Sequence, residues 1–397
     1  MRRILLLSQF FSPDRTGTGR IMGELFSGLS LQGFSVDVAA SRQEYGREER
    51  HLLPSFERMG TMRVFRSFRW FHSKESIFGR LFNYLMVFFC TYWTVFRHGL
   101  AKRKDLIVSV SNPPIMPLLG SLLRGKGQKF IYILHDLYPD IAIAMGVVGE
   151  KHLFSCVMFA VNRYVFCHAD RIVVLGRDMR QHLIEAYDVE NERIAVLPNW
   201  APDGIVYEER LRTKEPFRIL YAGNLGRFHD LGLAVEAVRE TAGVELHFVG
   251  EGALKEELQA QAAGVSHVRF YPFLEQAAYH EQLRSADAFL VSLEAHLSGL
   301  AVPSKFYAYL AAGRPILAIA EETTEMARVI REEKIGFVIH HGDTALFQAT
   351  VDQMRQSPEL CREIGRRAHS LYERMYRKEL VIKSYAKLFE QLCNPSM

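Results

Sequence analysis

Residues 217–230 read FRILYAGNLGRFHD, and this stretch decides the fold class. The apolar run Phe217–Tyr221 predicts a buried strand, and it leads through Gly223-Asn224-Leu225-Gly226 into a helical pattern. Glycines at such a turn allow the backbone to approach a ligand closely, and the following helix N-terminus offers unpaired N–H groups to an anion. Arg227 lies where its guanidinium group can bind a diphosphate through two hydrogen bonds. The stretch is typical of a parallel α/β domain with a phosphate-binding loop.

A second junction of the same kind stands near the start of the chain. Ile4–Leu7 predicts a first strand, and Gly17, Thr18 and Gly19 open the next helical pattern. Their spacing is not Gly-x-Gly-x-x-Gly, and no acidic residue follows the second strand in the position typical of dinucleotide-binding sites. A structural turn explains these three residues as well as a sugar or acceptor loop does. Two such loops in two halves of the chain argue against a single dinucleotide site.

Short apolar strands alternate with helix-length segments through almost the whole chain, which is typical of parallel α/β domains. A chain of 397 residues is long for one hydrophobic core, so we expect two doubly wound Rossmann-like domains facing across a cleft. The predicted domains are residues 1–200 and 201–378, and a closing helix at 379–397 is expected to pack back towards the first domain. Strands are predicted at Ile4–Leu7, Val36–Ala39, Arg63–Arg66, Leu106–Val110, Phe130–Leu134, Arg171–Val174, Ile194–Leu197, Phe217–Tyr221, Val244–Val249, His267–Phe270, Ala288–Val291, Ile316–Ile319 and Gly336–Ile339.

Composition narrows the function classes. A formal net charge of +4 is too small to indicate a nucleic-acid-binding protein, and it suits an enzyme whose ligands are phosphates. The five cysteines are scattered without a Cys-x-x-Cys pair, so neither a disulfide framework nor a zinc site is predicted. The apolar run at the N-terminus stops after four residues, which favours a buried strand over a signal peptide and a cytoplasmic protein over a secreted one.

The segment Pro303-Ser304-Lys305 predicts the start of another helix, which Gly313 ends. A lysine beside a helix N-terminus favours a diphosphate, because the ammonium group and the free N–H groups both attract negative charge. An ordinary capped helix with a solvated lysine explains the same pattern. The candidate donor-binding residues in these two loop regions are Gly223, Asn224, Gly226, Arg227, Ser304 and Lys305.

His135 and Asp136 directly follow the predicted strand Phe130–Leu134. Side chains at the carboxyl ends of parallel strands face the ligand crevice of a doubly wound sheet, and both residue types transfer protons. A lone histidine is more often structural, but the adjacent carboxylate makes this a candidate catalytic pair.

Leu81–Phe96 reads LFNYLMVFFCTYWTVF, which is rich in aromatics and carries no charge. Sixteen residues are fewer than the roughly 20 needed to span a bilayer. Two interpretations stay open: a buried core helix, or an in-plane membrane contact through residues 66–104. The second uses Trp70, Phe71 and the basic flanks on both sides of the helix, which are Arg66, Arg69, Lys74, Arg80, Arg97, Lys102, Arg103 and Lys104.

In this order, the segments resemble the family-4 retaining glycosyltransferases of the GT-B fold over essentially the whole chain. Further markers of the resemblance are Ala169–Gly176, Leu197–Trp200 and Leu310–Pro315. The nearest pattern is that of the bacterial surface-polysaccharide subgroup, which includes transferases of N-acetylfucosamine-type sugars.

The resemblance implies transfer of a hexosyl or N-acetylhexosaminyl group, with retention, from a nucleoside-diphosphate sugar, with UDP favoured. The acceptor would be a hydroxyl of a glycan or of a lipid-linked saccharide, and no metal or other cofactor would be required. The diphosphate would lie against Arg227, Ser304 and Lys305 in the second domain. His135 would lie near the donor sugar, and Asp136 with the Gly17–Gly19 loop would face the acceptor or the sugar. The leaving diphosphate helps to deprotonate the acceptor, so the protein supplies positive charge and placement.

The chain departs from the family pattern in its cations. Asn224 and His229 occupy positions where members often carry Arg and Lys, so Arg227 is the candidate for the missing charge.

The acidic pattern departs as well. The usual glutamates seven residues apart align with Leu300 and Ala308, and neither is acidic. Glu325 is included among the candidate donor-binding residues as a replacement, with Glu294 as another nearby carboxylate.

Two other functions stay open on the sequence alone. A GT-B nucleotide-sugar epimerase would use acidic residues and histidine on both sides of the sugar without an acceptor. A degenerate transferase acting as a scaffold in a polysaccharide assembly complex is motivated by the missing glutamates.

Overall fold

The computed structural model describes residues 2–14, 16–43, 52–68, 77–209 and 216–394. The chain forms two compact units. The first comprises Met1–Leu175, Met179–Pro198 and Glu379–Met397, and the second comprises Gly176–Asp178 and Asn199–Lys378.

The first unit is built on a sheet with the strand order β3-β4-β2-β1-β5-β6-β7-β8, in which β3 alone among these strands is antiparallel to its neighbour. The order reverses between β1 and β5, which places a ligand crevice at their carboxyl ends. The strands are β1 (Arg3–Leu7), β2 (Ser35–Ser41), β3 (Phe56–Met59), β4 (Met62–Phe68), β5 (Leu106–Val110), β6 (Lys129–Leu134), β7 (Arg171–Val174) and β8 (Ile194–Val196). Six helices follow these strands: α1 (Gly17–Leu31), α2 (Ile77–Arg97), α3 (Met116–Leu123), α4 (Asp140–Ala144), α5 (Leu153–His168) and α6 (Arg177–Tyr187).

The second unit has an all-parallel described sheet with the order β11-β10-β9-β12-β13-β14, which reverses between β9 and β12. Its strands are β9 (Phe217–Ala222), β10 (Val244–Val249), β11 (Val268–Tyr271), β12 (Ala288–Ser292), β13 (Ile316–Ile319) and β14 (Gly336–Ile339). Its helices are α7 (Gly232–Arg239), α8 (Lys255–Gln261), α9 (Gln276–Ser285), α10 (Lys305–Ala312), α11 (Glu325–Glu333), α12 (Thr344–Gln356) and α13 (Pro358–Leu371). Helix α14 (Lys378–Cys393) then packs on the first unit, where Gly28 of α1 leaves room for Ile382.

All thirteen predicted strands are confirmed, because central parallel strands are buried on both faces and therefore read as continuous apolar runs. Strand β3 was missed. Its residues, Phe56-Glu57-Arg58-Met59, lie at the edge of the sheet and are only partly buried, so they carry no apolar run.

Helix α2 turns polar residues inward and aromatic residues outward. Asn83 and Thr91 are buried, whereas Trp93 and Phe96 are 59% and 66% exposed. The exposed stripe of α2 consists of Phe82, Leu85, Phe89, Tyr92, Trp93 and Phe96. The buried-core interpretation therefore holds for one face of the helix only. None of the described helices is long and apolar enough to cross a bilayer.

The structure corrects the predicted basic flank at two positions. Arg66 is buried and donates hydrogen bonds to the Glu57 carboxylate and to the Ser12 carbonyl. Lys104 is also buried and donates a hydrogen bond to the Asp37 carboxylate. Each cation neutralises a carboxylate inside the unit, so neither faces solvent. The exposed cations of the predicted flank among the described residues are Arg97, which ends the helix, and Lys102 and Arg103, which follow it. The rest of the predicted flank lies outside the described residues, namely Arg69, Trp70, Phe71, Lys74 and the side chain of Arg80.

Two glycine loops cross in the second unit with their backbones in contact. The N–H of Gly223 donates to Val249 and the N–H of Leu225 donates to Glu251, both at 2.8 Å. A Cβ atom at Gly250, whose φ is +140°, would lie 2.0 Å from the Gly223 carbonyl oxygen. The crossing therefore requires glycine at position 250, and it fixes the path of the loop after β9.

We predict that Gly250→Ala lowers the free energy of unfolding by about 3 kcal/mol or more, because backbone strain adds to a collision that no rotamer relieves. Gly264→Ala is the matched control: its φ is +80°, but no atom lies within 4 Å of its Cβ position. The control should cost about 1 kcal/mol. Equal transition midpoints for the two variants in urea would show that the crossing is not tightly packed.

Candidate active site

The crevice of the second unit opens where β9 and β12 diverge. Their pairing ends at Leu220 and Phe289, and the next free backbone donor on β9, the N–H of Ala222, donates instead to the hydroxyl of Tyr309 at 2.8 Å. Tyr309 also stacks on Phe289, with ring centroids 4.4 Å apart. Helix α10 is thereby fixed at the carboxyl end of the sheet.

Lys305 stands one turn before Tyr309 on α10, so the two side chains share a helix face. This places the Lys305 ammonium group 4.5 Å from the centroid of the Tyr221 ring and its Cε atom 3.0 Å from the Cβ position of Gly223. A side chain at 223 would crowd the lysine stem, and the backbone φ of +148° there favours glycine. The glycine loop and the lysine predicted from the sequence are therefore brought together.

His229 completes this cluster. Its Nδ1 lies 2.6 Å from the carbonyl oxygen of Ser292 and must carry the proton, so Nε2 presents a lone pair to the Lys305 ammonium group at 3.1 Å. Burial and the nearby lysine lower the pKa of His229 to about 3, and burial lowers the pKa of Lys305 to about 7. Across the described chain, no carboxylate lies within ion-pair distance of Lys305.

The other predicted donor residues of this region line the same loops with more exposure. Arg227 is exposed and makes no hydrogen bond or ion pair with the described residues, and Asn224 is exposed beside Gly226. Ser304 is exposed at the start of α10 and does not cap it through its side chain. These groups are open to a ligand but are not connected to Lys305 by a side-chain contact.

The carboxylates are arranged differently from the family pattern. Glu325, the first residue of α11, accepts hydrogen bonds from the backbone and the guanidinium group of Arg177 at 2.8 and 2.9 Å. Leu300 and Ala308, at the usual glutamate positions, are buried in apolar surroundings. Glu294 is half-buried and helps to raise the pKa of His341.

An aspartate–histidine pair adjoins the cluster. His341, just after β14, contacts Asp230 with its Nδ1 2.9 Å from the carboxylate, and the N–H of Asp230 donates to the hydroxyl of Ser292. The Asp230 carboxylate raises the pKa of His341. This pair and His229 were not among the predicted site residues. The sequence did carry a signal for the crossing of the loops after β9 and β10, because Gly250 and Gly252 directly follow β10.

In the first unit, His135 and Asp136 follow β6, and both backbone N–H groups donate to the hydroxyl of Ser111 after β5. Burial lowers the pKa of His135 to about 4, so the ring is neutral, and its Nε2 has no hydrogen-bond partner among the described residues. Burial raises the pKa of Asp136 to about 6. The carboxylate makes no ion pair with the described residues. The pair thus combines an unsatisfied neutral imidazole with a carboxyl group that titrates near neutrality.

The early glycine loop is shaped by Asp14 and Thr16. The Asp14 carboxylate accepts from the N–H of Thr16, and the Thr16 hydroxyl accepts from the N–H of Gly19. A Cβ atom at Gly19 would lie 2.9 Å from the Asp14 carbonyl oxygen, whereas Gly17 is exposed with open space around it and Thr18 is half-buried. Gly19 thus serves the turn, and Gly17 and Thr18 remain accessible.

Among the described residues, no cluster of three or more histidine, cysteine, aspartate or glutamate side chains could hold a metal ion.

Residues 16–200 match the family model of a glycosyl transferase 4-like domain, and residues 216–357 match that of glycosyl transferases group 1. The "Probable glycosyltransferase WbjE" of Pseudomonas aeruginosa is 27% identical over 315 residues, covering 75% of this chain and 77% of the relative. WcaI of Escherichia coli K12, named as a colanic acid biosynthesis glycosyl transferase, is 24% identical over 348 residues, covering 82% and 85%.

Solved structures share the fold. Sucrose-phosphate synthase from Thermosynechococcus elongatus superposes with a TM-score of 0.76 at 16% identity over 100% of both chains. Anabaena HepE in complex with UDP-glucose superposes with a TM-score of 0.67 at 12% identity, over 98% of this chain and 100% of that one. With both halves matched by glycosyltransferase domains, the chain belongs to the GT4-type glycosyltransferases of the GT-B fold.

Proposed function

We propose that this glycosyltransferase moves a hexosyl or N-acetylhexosaminyl group, with retention and without a metal, from a UDP-sugar to a hydroxyl of a glycan or lipid-linked acceptor. The observation that carries the donor assignment is the Lys305 ammonium group, which lies half-buried at the switch point of the second sheet and has no carboxylate partner among the described residues. Burial of an unpaired cation is costly, so the site is built to receive an anion. A diphosphate supplies that anion, and the glycine loop allows it close approach.

In the proposed reaction, some residues supply positive charge and others position the sugar and the acceptor. Lys305 and the exposed Arg227 neutralise the charge that develops on the leaving diphosphate, which is the largest demand in such a transfer. His135, neutral and with a free Nε2, is suited to hydrogen-bond a hydroxyl of the donor sugar. Asp136 and the Gly17–Gly19 loop are assigned to the acceptor or the sugar.

The biological setting rests on the relatives. WcaI is named for colanic acid biosynthesis, and HepE was solved with UDP-glucose. We therefore place this chain in bacterial surface-polysaccharide or glycoconjugate biosynthesis, with a cytoplasmic active site and UDP as the favoured nucleotide.

The donor assignment predicts that UDP or a UDP-sugar raises the melting temperature in a panel of UDP-, GDP- and TDP-sugars, because a ligand of the folded state stabilises it. Lys305→Ala should weaken UDP binding about 10- to 100-fold, as expected for one charge-assisted hydrogen bond in a buried site. Lys383→Ala, which removes an exposed lysine from α14, is the charge-matched control and should bind as the wild type does. Unchanged UDP affinity in Lys305→Ala would remove this residue from the site.

For the first unit, we predict that His135→Ala and Asp136→Asn each lower the rate of donor turnover at least about 100-fold. Nucleotide affinity and melting temperature should stay near the wild-type values. Turnover of the wild type should rise with pH through about 6 as the Asp136 carboxylate forms, and Asp136→Asn should lack this rise. His168→Ala, an exposed histidine of α5, serves as control. A large loss of thermal stability in the two variants would indicate a structural role instead.

We also propose that the exposed stripe of α2 contacts a membrane surface in its plane. Aromatic side chains enter the headgroup region of a bilayer, and Arg97, Lys102 and Arg103 provide cations for anionic lipid. Each cation contributes on the order of 1 kcal/mol near such a surface, which is enough for reversible association. A lipid-linked acceptor would be reached from this position.

In vesicle flotation, the wild type should rise with anionic liposomes at low salt and dissociate at high salt. The double variant Trp93→Ser/Phe96→Ser should stay in the soluble fraction, whereas Leu31→Ser, which removes another exposed apolar side chain of the same unit, should float as the wild type does. If the wild type fails to float with anionic vesicles at low salt, the membrane proposal is wrong.

A further inference from the structure

Position 229 is one of the points where this chain departs from the pattern it resembles. A lysine or arginine there would add a second cation beside Lys305. A neutral histidine instead accepts a hydrogen bond from the first cation. The substitution changes the role of the position from binding an anion to holding the group that binds it.

The geometry of His229 leaves one protonation state. A proton on Nδ1 is fixed by the Ser292 carbonyl at 2.6 Å, and a proton on Nε2 would point at the Lys305 ammonium group 3.1 Å away. The imidazole must therefore remain neutral while Lys305 is charged. Any proton that the pair gains goes to the amine of Lys305.

Among the residues that the structure describes, no carboxylate pairs with Lys305 to keep it protonated. It faces the ring of Tyr221, the backbone at Gly223 and the ring of His229. Tyr221 is neutral, because burial raises the pKa of its hydroxyl. The same holds for Tyr309, one turn along α10. Asp230, which follows His229 in the sequence, is paired with His341.

We propose that His229 is a positioning residue for Lys305, and that this pair takes up one proton when a nucleoside diphosphate binds. The inference rests on the proposed donor site. In the free protein the buried amine loses its proton readily, since burial alone lowers its pKa to about 7. A diphosphate brings negative charge to the amine and favours the ammonium form. The proton comes from solvent, and the hydrogen bond to Nε2 keeps the ammonium group aimed at the phosphate oxygens.

The sign of the pH dependence follows. Lys305 is protonated in the bound state. The affinity for the diphosphate is therefore highest below pH 7 and declines as the pH rises above 7. The decline should approach tenfold per pH unit. A site built from arginines or from a solvated lysine would show no such change between pH 7 and 9.

The test is isothermal titration of the wild type with UDP at pH 8 in buffers of different ionisation enthalpy, which counts the protons taken up on binding. At pH 8 the terminal phosphate of UDP is already fully ionised, so UDP supplies no proton change of its own. A pKa of about 7 predicts uptake of about 0.9 proton. Lys305→Met should abolish the proton uptake and weaken UDP binding about 10- to 100-fold.

Variants at position 229 test whether His229 positions the Lys305 amine or only stabilises the fold. His229→Gln can donate to Ser292 and accept from Lys305, so it should retain the proton uptake. His229→Ala exposes the amine to water and should reduce both the uptake and the steepness of the pH dependence. His267→Ala is the matched control, since His267 also bonds a backbone carbonyl in this unit, that of Val238, but at a distance from the cluster in sequence. It should behave as the wild type in both measurements.

The outcomes distinguish the two proposals. Binding of UDP to the wild type without net proton uptake overturns the inference and leaves the donor site standing. Uptake that persists unchanged in His229→Ala overturns the role of His229. Absence of binding by UDP and by every other nucleoside diphosphate refutes the donor site itself, and the inference with it.

Discussion

The candidate donor site of the second unit is arranged around one half-buried amine. Lys305 is held between an aromatic ring, a glycine backbone and the lone pair of His229, and none of these neutralises a positive charge. Each of the surrounding features serves this placement. The divergence of β9 and β12 makes room for Tyr309, Tyr309 fixes α10, and α10 carries Lys305 one turn earlier on the same face. In the proposed donor site, a bound anion would offset the free energy that it costs to hold a charge there.

The first unit uses burial for a different purpose. His135 loses its charge at neutral pH and keeps a nitrogen without a partner, while Asp136 is driven towards titration near neutrality. Neither a neutral imidazole nor a carboxyl group attracts a diphosphate. Both changes suit groups that read or orient hydroxyls, whose hydrogen bonds are strong only where water is excluded. The two units therefore present complementary chemistry, with positive charge in one and uncharged or weakly acidic groups in the other.

Sequence patterns predicted the fold well and the site only in part, for physical reasons. Buried parallel strands must be apolar throughout, so their positions are visible in the sequence, whereas β3 lies at a half-exposed edge and leaves no such signal. Gly223 and Lys305 were predicted because strand–loop–helix junctions mark phosphate sites. Their contact with each other, and the part played by His229 and Ser292, depends on how two distant segments meet at the switch point, which no local pattern encodes. Glu325 illustrates the same limit, since its pairing with Arg177 joins residues 148 positions apart.

Helix α2 shows how a local pattern can be recognised from the sequence while its orientation stays open. Its composition suits a core helix, yet the sheet beneath it receives Asn83, Thr91 and Val87 while the large aromatic side chains face outward. Burying small and polar residues in place of aromatics forgoes about 2 kcal/mol or more of apolar burial for each side chain, so the orientation is unfavourable for an isolated protein in water. Two of the cations expected beside it are paired inside the unit with Asp37 and Glu57, and Arg97, Lys102 and Arg103 are exposed at and after its C-terminal end. The proposed membrane contact rests on this orientation, because an exposed apolar stripe with nearby cations suits a bilayer surface better than a solvated one.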